Sequence, residues 1–241
     1  MTTSIIKIMS QRGFLYSLQL IDSQIDKILD RINVINTRIQ DKELVTNAQF
    51  VKNEAEQKAT KKQSEIRKLE DQINSIVYKK KESEKELYGG KIKNPKELQL
   101  LQEEISSLKN RISQLEDELF NLMIENETLE HELQAAETNL LKITTDKAAE
   151  VADLESEKTQ LLTELNVLKI EEEPIQAHID SDLLNKYQKL RISKNRLAVV
   201  IVEENACSGC GNSLTLAELQ KIKSPIDEYY CPVCKRILYY G

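Results

Sequence analysis

Four cysteines lie within the last 35 residues of the 241-residue chain, as two pairs, Cys207/Cys210 and Cys231/Cys234. Each pair is a Cys-x-x-Cys, and twenty residues separate the pairs, which fits the spacing of a four-cysteine zinc site. The requirement is geometric. A Cys-x-x-Cys turn aims two thiolates at one point, and two such knuckles supply four sulfurs at tetrahedral angles. Gly209 and Gly211 let the first knuckle curl tightly. Four protein ligands fill the coordination sphere, so the expected cofactor is one structural zinc ion per chain, with no open position for catalysis. A redox dithiol or an iron centre is the competing reading; a thioredoxin-like site needs a βαβ context that the surrounding sequence lacks. Residues 197–241 carry too thin an apolar inventory to hold a core unaided. Metal binding would then supply the folding free energy, on the order of 10 kcal/mol.

A second cluster is basic. Lys186, Lys189, Arg191, Lys194 and Arg196 fall in a stretch from Leu183 to Val202 that holds no Asp or Glu and includes Tyr187. This is the candidate nucleic-acid surface, for RNA or DNA; the plainer reading is a solvated helix face. The whole chain, with 34 basic and 40 acidic side chains and a net charge of −6, is not suited to coating nucleic acid along its length. Of the two histidines, His131 sits off the apolar repeat described below, and His178 has no acidic or cysteine ligand at metal spacing. No Ser/His/Asp grouping or phosphate-cradling glycine loop is present. Neither enzymatic activity nor a small-molecule substrate is expected.

The elements that position these groups show in where the breakers fall. The chain has only 6 glycines and 4 prolines, no Trp and 5% aromatic residues, against roughly 12% Gly plus Pro in average usage. That excludes sandwiches, barrels and doubly wound α/β enzymes. Phe14–Tyr88 and Lys96–Glu173 contain neither Gly nor Pro. Both carry heptads: Leu18, Ile21, Ile25, Ile28, Ile32, Ile35 and Ile39 in the first, and Leu98, Leu101, Ile105, Leu108, Ile112, Leu115, Leu119 and Leu122 in the second. An apolar repeat of 3.5 residues sustained this long imposes a left-handed coiled coil. The fold class is therefore mainly α: a long antiparallel coiled-coil hairpin over 1–173, a helical neck over 174–196, and a small β-rich zinc ribbon over 197–241. With the reversal centred near Lys91–Ile92, Leu18 should face Leu165, and the polar stretch Glu56–Glu65 should face Asn126. Each arm would be roughly 110 Å long. Asn126 is either a register-fixing buried amide or part of a loosely packed waist.

The connection at 88–97 is more elaborate than a reversal requires. Gly89-Gly90 can take the left-handed backbone that ends a helix. Asn94-Pro95-Lys96-Glu97 reads as an N-cap, an N1 proline and a Glu at N3 reaching back. Lys91, Ile92, Lys93 and Lys96 are left to project. The segment is either only a good turn or a partner-docking tip.

Tyr88-Gly-Gly-Lys-Ile-Lys-Asn-Pro-Lys-Glu-Leu98, followed by Leu101-Gln102 and Glu104-Ile105, resembles the tip motif of a bacterial family that joins a coiled-coil hairpin to a C-terminal four-cysteine zinc ribbon. Tyr187-Gln-Lys-Leu-Arg191, leading into Ala198-Val-Val200 and Cys207-x-x-Cys210-Gly211, is similar to its neck and ribbon. Relatives carry a glycine where Asn195 stands, and Asn tolerates the same backbone. The resemblance implies a non-catalytic adaptor or regulator that docks protein partners, transcription or secretion factors among them. Some members are flagellar regulators that bind an alternative sigma factor, and some bind mRNA. No apolar run approaches the ~18 residues of a membrane span. The first twenty residues, with Lys7, Gln11, Arg12 and Gln19, lack a signal core. A cytoplasmic protein without membrane contact is expected.

Overall fold

A computed structural model describes residues 10–224 and 228–241; Lys7 and Pro225 lie outside the described residues. The elements run α1 (Gln11–Gln40), α2 (Glu43–Tyr88), α3 (Pro95–Gln176), α4 (Ser181–Ser193), β1 (Val199–Glu203), β2 (Ala206–Cys207), α5 (Leu216–Lys223) and β3 (Ile237–Tyr239). The chain is thus mainly helical, with a long helical hairpin followed by a three-stranded sheet.

The first arm differs from the expected single helix. It breaks at Asp41–Lys42, where Asp41 turns extended and its N–H still reaches the Thr37 carbonyl. Here the apolar repeat loses phase between Ile39 and Leu44, so one straight helix cannot keep both stretches in the seam. The second arm stays helical for 82 residues and runs through Pro174, which removes one i→i−4 hydrogen bond, and it ends two residues later at Gln176.

Two compact units result, 42–151 and 1–41 with 152–241. In the first, α2 and the early part of α3 bury Leu69, Ile73, Ile112 and Leu115, flanked by Ile76, Val77, Leu119 and Leu122. Lys79 meets Glu104 at 3.0 Å and Lys62 meets Glu125 at 2.8 Å. Asn126 faces the polar stretch as expected and is buried: its Nδ2 donates to Gln63 Oε1 at 3.3 Å and to Glu130 Oε1 at 2.6 Å, while Oδ1 has no partner among the described residues.

In the second unit, α1 packs on the late part of α3 through Ile28, Leu165 and Leu168, with Ile21, Ile25, Ile32 and Leu161 around them. Arg31 and Glu157 make a two-bond pair at 2.7 and 2.8 Å. Leu18 does not face Leu165. It joins Phe14 and Leu15 in a core with Ile179, Leu183 and Tyr187 of the neck and Ala198, Val199 and Ile237 of the sheet. Ile28, ten residues further along α1, clusters with Leu165 instead.

The sheet has the order β2-β1-β3, with β2 antiparallel and β3 parallel to β1. A side chain supplements it. Gln19 of α1, buried, accepts from the Ala198 and Val199 amides at 2.6 Å and donates to the Val199 carbonyl at 2.6 Å. It satisfies the start of β1 as a neighbouring strand would. The four-cysteine module has its own core of Val200, Leu214, Leu219, Ile222 and Leu238 around Cys207 and Cys231. A capping box between Thr215 and Glu218 starts α5.

Candidate metal centre and hairpin tip

The two cysteine knuckles repeat one hydrogen-bond scheme. The Gly211 amide donates to the Cys207 carbonyl at 2.8 Å, and the Lys235 amide to that of Cys231 at 2.9 Å. Cys207 and Cys231 then donate to the carbonyls of Asn212 and Arg236 at 2.9 and 2.8 Å. The residue after each second cysteine is left-handed: Gly211 at φ +73° and Lys235 at φ +64°. Gly209 is needed for another reason, since a Cβ there would lie 2.7 Å from Val200 Cγ1.

All four sulfurs fall within 4.8 Å of one another, with Cys207–Cys234 at 3.7 Å and Cys210–Cys231 at 3.6 Å. Four sulfurs about 2.3 Å from a tetrahedral zinc ion stand roughly 3.8 Å apart, so the set fits that ion. Backbone amides of Gly209, Asn212 and Arg236 bond the sulfurs of Cys207, Cys210 and Cys234, the outer support that orients thiolate ligands. Burial pushes the Cys207 thiol up to about 12, with neighbouring thiols adding to it. Cys234, despite a burial penalty, is drawn down to about 7 by the Arg236 amide and the adjacent thiols. When bound, a metal ion would cross-link the two knuckles by holding all four sulfurs as thiolates.

Arg236 ties this centre to the neck, its Nε donating to the Leu197 carbonyl at 2.9 Å and its terminal nitrogens to the carbonyls of Gly209 and Lys194. It was not among the residues singled out from sequence, where only its position two residues past Cys234 hinted at a role.

In the neck, most of the basic cluster is already engaged. Arg191 pairs with Asp22 and Asp26, Arg196 with Asp30 at 2.6 Å, and Lys186 with Glu228 at 2.9 Å. Tyr187, fully buried, donates to Asp22 Oδ2 at 2.5 Å, and burial followed by that carboxylate drives its phenol strongly upward. Asp22, Asp26 and Asp30 recur every fourth residue, one face of α1. That acidic ladder went unread in the sequence, although its spacing is its signature. Asn195 takes the left-handed backbone at φ +52°, and Arg196 follows at φ +66°, its amide donating to the Arg191 carbonyl at 2.8 Å. Lys189 and Lys194 have no ionic partner among the described residues. A groove of about 610 Å3 beside them includes Asp26, Arg191, exposed Ile192 and Arg196.

At the tip, Gly90 is left-handed at φ +71°, whereas Gly89 stays right-handed at φ −75°. Asn94 caps α3 by accepting from the Lys96 amide at 3.1 Å. Glu97 reaches back to the Asn94 side-chain amide, 3.3 Å away, rather than to its backbone N–H. Lys91, Lys93, Pro95 and Lys96 are exposed, but Ile92 is half-buried rather than projecting. It lines a groove of about 430 Å3 with Glu82, Lys85, Glu86, Gly89 and Lys91.

The profile of the CT398-like coiled coil hairpin domain matches residues 18–195. The chain belongs to that family. The matched residues include hairpin, tip and neck and stop short of the cysteines. Among solved structures, CT398 from Chlamydia trachomatis is 22% identical with a TM-score of 0.61, over 96% of this chain and 99% of that one. HP0958 from Helicobacter pylori is 20% identical with a TM-score of 0.51, over 96% and 97%. A protein from Mycobacterium smegmatis is 18% identical with a TM-score of 0.79, over 97% and 100%. These likenesses show a shared fold. No curated protein matches the chain. No helix among the described residues is long and apolar enough to cross a membrane.

Proposed function

We propose that this CT398-like chain is a non-catalytic cytoplasmic adaptor or regulator. Its four-cysteine module holds one structural zinc ion, and its hairpin tip docks a protein partner, a transcription or secretion factor by family resemblance. The observation that carries the reading is the contrast between two basic clusters. Arg191, Arg196 and Lys186 are bonded to carboxylates of the same chain. Lys91, Lys93 and Lys96 stand on an exposed, capped turn with no ionic partner among the described residues. Asn94 and Pro95 shape that turn, and the lysines are left for another molecule. A nucleic-acid role for the neck is weakened, because three of its five basic side chains, Lys186, Arg191 and Arg196, are paired with carboxylates of the chain and Asp26 lines the adjoining groove.

Replacing Lys91, Lys93 and Lys96 by Ser tests the reading. Helicity and melting should stay nearly unchanged, since none of the three side chains has an ionic partner among the described residues and the Lys96 amide that bonds Asn94 is kept. Affinity purification from the native cell should lose its main protein partner. An unaltered set of partners, together with loss on replacing the exposed ribbon residues Leu216 and Val233, would move the docking surface to the cysteine module.

A further inference from the structure

We infer that the hairpin tip takes an acidic, amphipathic protein segment, one that sets carboxylates against Lys91, Lys93 and Lys96 and an apolar side chain beside Ile92. The inference rests on the docking role proposed above and gives the partner a chemistry. From Tyr88 to Leu100 the chain carries three lysines and one glutamate, a local positive excess in a protein of net charge −6. That glutamate, Glu97, is engaged by Asn94 on the turn itself. Other lysines of the same region find partners within the chain: Lys85 meets Glu82, and Lys79 meets Glu104. The three at the tip do not, so their mutual repulsion is left for an incoming anion to relieve.

Charge alone would accept any polyanion; the apolar groups narrow the choice. Tyr88 is 82% exposed and Leu100 63% exposed, on the two helix ends flanking the turn. Ile92 forms part of the wall of the groove. Large apolar side chains at an exposed turn favour a partner with apolar surface to bury. Glu86 also lines that groove, beside Glu82 in its pair with Lys85; its carboxylate repels a phosphate backbone but tolerates the apolar side of a peptide. An amphipathic segment provides both halves of the match, as helix-in-groove ligands do.

The probe is a fluorescein-labelled 18-residue peptide with Glu and Leu at helical spacing, titrated into the full chain and into the variant K91E/K93E/K96E by anisotropy. All three positions are exposed and unpaired, so circular dichroism of the variant should match the parent. Affinity should drop at least tenfold on charge reversal and also between 50 and 300 mM salt. A Leu→Ser version of the peptide should bind at least threefold more weakly. Equal binding to parent and variant overturns the inference. So does a single-stranded oligonucleotide of equal charge that binds the parent more tightly than the peptide and is lost on charge reversal, because nucleic acid would then be the partner. If the peptide ignores the tip while the Ser substitutions still empty the affinity purification, the acidic class is wrong and the adaptor role stands. If neither experiment responds, both readings fall.

Discussion

Glu172 of α3 lies against Asp22 of α1, where Tyr187 and Arg191 also converge. Burial raises its carboxyl above the ordinary value of 4.5, and the Asp22 charge and contact add to the rise; Gln176 and Arg191 oppose it. The folded state therefore holds this proton more tightly than the unfolded chain. Its contribution is fully present below about pH 4.5 and is lost as pH rises through the folded value. Glu172→Gln keeps the shape and removes the titration. Urea midpoints of the two proteins should coincide near pH 4 and separate as pH rises, with the variant more stable at pH 7. A parent at least as stable as the variant at pH 7 would mean that Asp22 and Glu172 do not oppose each other. This pair was invisible in the sequence because Glu172 sits within Glu171-Glu172-Glu173, which reads as an uninformative acidic run. The four cysteines were legible for the opposite reason: a Cys-x-x-Cys has few structural uses, and the spacing itself encodes the geometry.

Helices were legible wherever the apolar repeat was strong, but the break at Asp41–Lys42 was not, since a similar loss of phase between Ile143 and Val151 leaves α3 continuous. What spacing could not give was the partner of each residue. Leu18 satisfies the seam of α1 as well as Ile28 does, yet only Ile28 clusters with Leu165. Cysteines introduced at Ile28 and Leu165 should therefore form an intrachain disulfide, seen by peptide mass mapping after mild oxidation. A Leu18/Leu165 pair should form none. The same limit explains the neck. Arg191 and Lys189 look alike as members of a basic run, but Asp22 and Asp26 of α1 pair with Arg191 and not with Lys189. Arg191→Glu would add a carboxylate to Asp22, Asp26 and Glu172 and should cost about 3 kcal/mol or more in chemical denaturation. Lys189→Glu, on an exposed face, should stay within roughly 0.5 kcal/mol. Equal effects would mean that the acidic ladder of α1 does not hold the neck.

At the scale of the whole molecule, the cysteine module and the base of the first arm depend on each other. Sequence reasoning expects loss of the metal to unfold the ribbon and leave the helices nearly intact, because the hairpin has apolar seams of its own. The buried cluster changes that expectation. Phe14, Leu15 and Leu18 share one buried cluster with Ile179, Leu183 and Tyr187 of the neck and Ala198, Val199 and Ile237 of the sheet, and Gln19 bonds the first residues of β1 directly. Arg12, itself buried, donates to the carbonyls of Leu238 and Ser224. If β1 and β3 melt, the first turns of α1 lose the apolar cover of Ala198, Val199 and Ile237 together with the bonds of Gln19 and Arg12 to Ala198, Val199 and Leu238, and each unsatisfied buried group costs about 1–3 kcal/mol. The core of Leu69, Ile73, Ile112 and Leu115 shares no residue with this cluster. Cys231→Ser, or chelation of the parent, should therefore abolish amide protection across 12–19, 183–190 and the strands, while protection at 66–77 and 108–119 persists. Hydrogen exchange read by mass spectrometry resolves these segments, and most of the far-UV helical signal should remain. Retention of protection at 12–19 in the metal-free protein would show that the base of the first arm folds without the ribbon.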